Sequence, residues 1–155
     1  MLSVEQCEKI LDIENIHYST FFSLDCQMNT LDIPCKKLTI SLSETQKRLL
    51  ICLTQKINSK RDIINIVWYE NHQCVRDNNY HQLVFQTRAL LQRNHLPTNI
   101  LITVPYYGLK INEPLLRKIE AEAMNTAAPP HLLQDDITDK NNKPSLKKWL
   151  LNAIR

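Results

Sequence analysis

Residues 75–97 read VRDNNYHQLVFQTRALLQRNHLP, and the reading of this stretch decides the fold. Asp77 or Asn78 can cap a helix with a side-chain oxygen, and an acid suits the positive end of the helix dipole. Tyr80, Leu83, Val84, Thr87 and Leu91 then recur at three- and four-residue spacing, one face of a 3.6-residue period. The opposite face shows Asn79, His81, Gln82, Phe85, Gln86 and Arg88. Leu96-Pro97 stops the pattern, because proline donates no amide hydrogen and disfavours helical geometry in the residue before it. The spacing predicts a helix to about Asn94, apolar on one side and rich in hydrogen-bonding side chains on the other.

Upstream, the polar stretch Tyr69 to Arg76 separates this helix from two shorter ones. Ser43 and Gln46 have the spacing of a capping box, followed by an apolar stripe of Leu49, Leu50, Leu53 and Ile57 that is expected to end near Asn58. Ser59 and Asp62 repeat the cap spacing, and Ile63, Ile66, Val67 and Trp68 form the next apolar face. From Ile16 to Leu42 the chain is rich in β-formers and alternates, as in Leu38-Thr39-Ile40-Ser41-Leu42, which reads as short antiparallel strands. Ahead of them, Ser3 and Gln6 again pair as a capping box before Val4, Cys7, Ile10 and Leu11, a short leading helix.

Downstream, Ile100 to Val104 is a β-rich run, Pro105-Tyr106-Tyr107-Gly108 a turn, and Leu109-Lys110-Ile111 a returning strand, together a hairpin. Gly108 is the one glycine in 155 residues, which excludes every glycine-rich phosphate-cradling loop. At a hairpin tip it is expected to hold a positive φ.

Charge follows this division. Residues 38–111 hold nine Lys/Arg against four Asp/Glu, a net +5, while residues 1–37 are net −3 and residues 112–155 net +1. The middle segment is therefore the one suited to a phosphate surface. Apolar residues make up 43% and charged residues 23%, the balance of a globular chain, and no apolar run reaches the ~20 residues of a membrane-spanning helix. The odd set Cys7, Cys26, Cys35, Cys52 and Cys74 contains no C-x-x-C pair, so reduced structural thiols are expected. His72, Cys74 and His81 come nearest to a ligand cluster but lack zinc-ligand spacing, so neither metal nor other cofactor is expected. No nucleophile-base-orienter set is present, which argues against an enzyme.

The order of strands, two short helices, polar loop, long helix and hairpin resembles the OmpR/PhoB-type winged helix-turn-helix, most closely its ToxR/CadC-like branch. Three stretches carry the likeness: Ile63-Ile64-Asn65-Ile66-Val67-Trp68, Val75 through Leu91, and Thr103-Val104-Pro105-Tyr106-Tyr107-Gly108-Leu109-Lys110. The expected fold is α+β: N-terminal antiparallel strands, three helices and a C-terminal β-hairpin wing over residues 16–111. Residues 1–15 lead it, and residues 112–155 add a helical extension, a linker and a short amphipathic helix.

The resemblance implies a cytoplasmic, nucleoid-associated transcription regulator, an activator, that binds double-stranded DNA. The long helix would lie in the major groove and the wing on the adjacent backbone or minor groove. Asn78, Asn79, His81, Gln82, Phe85, Gln86, Arg88, Tyr106, Tyr107 and Lys110 would then be the DNA-facing residues. Asn and Gln amides suit adenine, Arg suits guanine or phosphate, and Phe85 suits a thymine methyl. Glu70, Asn71, His72 and Gln73 correspond to the loop that in family members touches RNA polymerase. A homodimer or a partner regulator on DNA is expected, and a membrane anchor beyond Arg155, tethering the chain to the inner membrane, would match many ToxR/CadC-like proteins.

The chain departs from the family at the wing, where Tyr106 and Tyr107 stand at positions commonly filled by Arg, and Leu109 stands for a Tyr. Fewer wing cations mean fewer phosphate contacts and a shallower salt dependence. A rival reading follows, a winged-helix interaction module that binds a partner protein through Phe85, Tyr106 and Tyr107. Arg88 has two readings of equal weight, a DNA ligand or a structural partner for a buried carboxylate. Asp135, Asp136 and Asp139 sit in a Pro/Asn-rich linker with nothing to fix their geometry. Leu146, Trp149, Leu150 and Ile154 share a helical face beside Lys147 and Lys148, suited to docking, dimer contact or a juxtamembrane stretch.

Overall fold

Ser3 begins the first helix as its spacing predicts. In the computed structural model, which describes residues 2–127, its Oγ accepts the Gln6 amide at 3.2 Å and Gln6 Oε1 accepts the Ser3 amide at 2.9 Å. Helix α1 (Val4–Leu11) packs on the two helices that follow the sheet and puts Cys7 into the core. The described residues up to Glu120 form one compact unit.

Strands β1 (Asn15–Tyr18), β2 (Phe22–Asp25), β3 (Thr30–Ile33) and β4 (Leu38–Ser41) form an antiparallel meander in sequence order. Its register aligns Ile16 with Leu24, Leu24 with Leu31 and Leu31 with Ile40, so one apolar row crosses the sheet. The alternate row, Ser23, Asp32 and Thr39, is polar, and Thr39 Oγ1 donates to Asp32 Oδ1 at 3.1 Å. The period of two thus turns one face to the core.

Helix α2 (Glu44–Thr54) is capped by Ser43 and Gln46, with bonds of 3.2 and 2.9 Å. Leu49, Leu50, Ile51, Cys52 and Leu53 are all buried, so α2 is covered around its circumference and not along the single expected stripe. It also ends at Thr54, short of Asn58. Lys56 adopts φ 63°, its amide reaches Leu53 O at 3.2 Å and the Ile57 amide reaches Cys52 O at 2.9 Å. Those two bonds close the helix in the left-handed C-terminal motif usually built on glycine.

Helix α3 (Lys60–Val67) begins at Ser59, whose Oγ accepts the Asp62 amide at 3.1 Å. It buries Ile63, Ile66 and Val67, and also Asn65, which donates to Leu2 O at 3.2 Å and lies 3.8 Å from Cys7 Sγ. Trp68 is half-buried against the core.

After a loop with one short 3-10 turn, helix α4 (Asp77–Arg93) buries Tyr80, Leu83, Val84, Thr87 and Leu91, the same five residues its period predicts. The cap is corrected: Arg76 is the first flanking residue, and Asn79 Oδ1 accepts its amide at 3.0 Å, while Asp77 already lies inside the helix. The helix closes as α2 does, with His95 at φ 62° and the Leu96 amide on Leu91 O at 2.9 Å.

Strands β5 (Leu101–Val104) and β6 (Gly108–Ile111) make a separate two-stranded hairpin. Gly108 has no positive φ; that conformation falls to Tyr106, at 62°. Glycine is needed at 108 for another reason: a Cβ there would lie 1.9 Å from Asn58 O and 2.8 Å from the Lys60 nitrogen. The hairpin crosses the α2–α3 turn, with Lys60 N donating to Tyr107 O at 2.8 Å and Leu109 N to Asn58 O at 2.9 Å.

Helix α5 (Glu113–Ala127) starts beside Asn112, whose Oδ1 accepts the Leu115 amide at 3.2 Å. Leu116 and Ile119 reach the core, and Glu113 bonds both Lys56 and the Tyr18 hydroxyl, the latter at 2.6 Å. The described residues therefore contain five α-helices, the three expected of the middle segment flanked by α1 and α5. None of them is long and apolar enough to cross a membrane. The linker carboxylates and the C-terminal amphipathic stretch lie outside the described residues.

Candidate functional site

The first turn of α3, the N-terminal half of α4 and the β5–β6 hairpin surround an open groove of about 1100 Å³. Tyr80 and Val84 are its apolar floor; His81, Phe85 and Arg88 line it from α4, and Thr103, Tyr106 and Tyr107 from the hairpin. The third wall is Lys60, Arg61 and Asp62 at the start of α3.

Of the residues that the sequence singles out, His81, Phe85, Arg88, Tyr106 and Tyr107 come together here. Asn78, Asn79, Gln82 and Gln86 are exposed on α4 but lie outside the groove lining. Lys110 is exposed on β6, opposite Ile102, and is likewise outside the groove. Asn79 is partly occupied, since its carbonyl oxygen accepts the Arg76 amide at the start of α4.

Arg88 is a strut. Its Nη2 donates to Leu101 O at 2.7 Å and to Thr103 Oγ1 at 3.0 Å, and its Nε to Leu101 O at 3.3 Å. The partner is a strand carbonyl and a hydroxyl, not the buried carboxylate expected of a structural role. The guanidinium thereby fixes the hairpin against α4.

Lys60 and Arg61 are the residues that sequence reasoning missed. They occupy the first two positions of α3, where the helix dipole disfavours cations, so their presence does not serve the helix. That misplacement was the available signal. Lys60 Nζ pairs with Asp77 at 2.9 Å and sits 5.7 Å from the Tyr80 ring centre. The hydrogen bond and charge of Lys60 hold the Asp77 carboxyl below its ordinary range. Arg61 is exposed.

Among the described residues, three of the six exposed large apolar side chains, Phe85, Tyr106 and Tyr107, belong to this one groove. Tyr106 is wholly exposed at 110% of its reference area, and Phe85 is 73% exposed.

The α3–α4 loop is anchored at its start. Arg48 makes two bonds to the Glu70 carboxylate, at 2.9 and 3.0 Å, donates to Val67 O at 2.9 Å and stacks 5.0 Å from the Tyr69 ring centre. The Arg48 hydrogen bond lowers the Glu70 pKa. Glu70 is thus committed within the chain, while Asn71 and Gln73 are exposed. The five cysteines are free, and burial pushes the Cys52 thiol up to about 12, which makes it inert as a nucleophile. Set against models of protein families and against curated proteins, the sequence matches none.

Proposed function

We propose that the chain is a double-stranded DNA-binding transcription regulator of the winged helix-turn-helix type, with α4 as recognition helix and the β5–β6 hairpin as wing. One observation carries the reading. Helix α4 presents His81, Gln82, Phe85 and Gln86 on an uninterrupted exposed face, and that face borders a groove edged by Lys60 and Arg61. Its 17 residues span about 25 Å, a rod that fits the major groove. The cations beside it are placed for the phosphate backbone, which positions, while the amides are placed for base edges, which specify.

In this reading Gln82 and Gln86 read bases, Phe85 meets a thymine methyl, and Arg88 acts indirectly by holding the wing. Asn71 and Gln73 are exposed loop side chains available to RNA polymerase, and the His72 side chain lies outside the described residues. Selection from a random duplex pool tests the assignment. The wild-type chain should enrich a defined site, and Gln82→Ala with Gln86→Ala should relax the preference at two or more positions while the fold is kept. Enrichment of no site would refute it.

The exposed cluster of Phe85, Tyr106 and Tyr107 favours the rival, a protein-binding winged helix. The two diverge at low salt: the regulator binds duplex there, and the interaction module does not.

A further inference from the structure

The hairpin tip contains a conflict between residue type and backbone. Val104, Pro105, Tyr106 and Tyr107 form a turn closed by the Tyr107 amide on Val104 O at 3.1 Å. Proline in the second position and φ 62° in the third are the pattern of a type II turn, whose third position favours glycine or asparagine. Tyrosine occupies it instead, and the chain's one glycine stands two residues later. Tyr106 is 110% exposed as a residue, so it contributes no burial to offset its left-handed backbone. Among the six described non-glycine residues with positive φ, Tyr106 alone carries a large apolar ring, and its full exposure leaves that ring available to a partner.

The tip is also rigidly based. Four β5–β6 pairs, the Lys60–Tyr107 and Leu109–Asn58 backbone bonds and the Arg88 strut tie it to α3 and α4. No Lys or Arg occurs from Val104 to Leu109, so the tip cannot act by neutralising phosphate. Tyr106 shares the groove lining with Lys60 and Arg61, so a phosphate backbone held by those cations would lie beside the ring. An apolar ring on a rigid support is how proteins pry open a base step or stack on a base.

We propose that Tyr106 is a stacking wedge that enters the minor groove of the duplex held by α4. The proposal rests on the DNA-binding reading above and assigns the wing a stacking contact in place of an ionic one.

The test uses the full chain and a 30-base-pair duplex that the wild type has selected from a random pool, with 2-aminopurine placed at successive steps flanking the α4 site. Tyr106→Gly removes the ring and the strain together, so the variant should melt at or above the wild-type temperature yet bind roughly 5- to 150-fold more weakly. The slope of log affinity against log salt should not change, because no phosphate contact is lost. Tyr106→Phe should bind as wild type does. Wild type and Tyr106→Phe should brighten 2-aminopurine at one step, and Tyr106→Gly at none. Equal affinity of Tyr106→Gly and wild type, a flattened salt slope, or silent 2-aminopurine with wild type would overturn the wedge while leaving DNA binding intact. Failure of the wild type to select any duplex would remove the DNA-binding reading, and the wedge with it.

Discussion

Gly108 and Asn58 approach so closely that a single methyl on Gly108 would lie 1.9 Å from the Asn58 carbonyl oxygen. The contact welds the hairpin to the turn between α2 and α3, and the obstructing atom is backbone that cannot rotate away. Gly108→Ala should destabilise the fold by about 3 kcal/mol, at the upper end of overpacking costs, in urea or thermal unfolding. A loss under 1 kcal/mol would show that the turn yields easily and that the hairpin is not fixed in this way.

Arg88 and Gln86 allow structure to be tested apart from the proposed recognition. Arg88→Ala removes charge-assisted bonds to Leu101 O and Thr103 and should lower stability by about 2 kcal/mol, weakening DNA binding as a consequence. Gln86→Ala, on the exposed face of α4, should leave stability within about 0.5 kcal/mol and still weaken binding to the selected site. Equal stability of the two variants would contradict the strut.

Glu113 links α5 to β1 and to the α2 end, and hydrogen bonds from Lys56 and Tyr18 hold its carboxyl below the ordinary range. A carboxylate with a depressed folded-state pKa contributes stability above its unfolded value, roughly 4.3, and loses that contribution as pH falls through the folded value. Glu113→Gln should therefore melt below wild type at neutral pH, and the gap should close as pH drops below about 4. A pH-independent gap would assign the effect to packing.

His95 carries φ 62° at the C-terminus of α4 and is exposed. His95→Gly should raise stability by about 0.5–1 kcal/mol, since glycine adopts this conformation freely. A loss would mean that the imidazole makes an uncounted contribution.

The elements that were legible in the sequence carry redundant signals. Helix α4 combines a clean 3.6-residue period with a proline stop, and its five buried residues follow directly. The caps at Ser3, Ser43 and Ser59 pair a hydroxyl with a residue three positions on, a local relation that packing does not override. Helix ends were harder. The closures at Lys56 and His95 use left-handed residues that are not glycine, so no glycine marks the end of α2 at Thr54, and Ile57 continues its apolar spacing beyond it. The positive φ expected of Gly108 falls to Tyr106 because a glycine's two uses, positive φ and close approach, look the same in one dimension; only the crossing of the Asn58–Lys60 backbone tells them apart. The polar side of the groove was half legible. His81 and Phe85 follow from helical phase, but Lys60 and Arg61 join them because the α2–α3 turn passes beneath the hairpin, where Lys60 bonds Tyr107, 47 residues on in sequence.

Fluorescence anisotropy of a labelled duplex, titrated with the full chain at several salt concentrations, tests the central claim most directly. The account predicts binding that weakens linearly on log-log axes with a slope of about −3, near 0.9 for each of about three phosphates neutralised by Lys60, Arg61 and Lys110. It also predicts tighter binding to the selected site than to a scrambled duplex. Binding that ignores salt, or no binding at low salt, would contradict it.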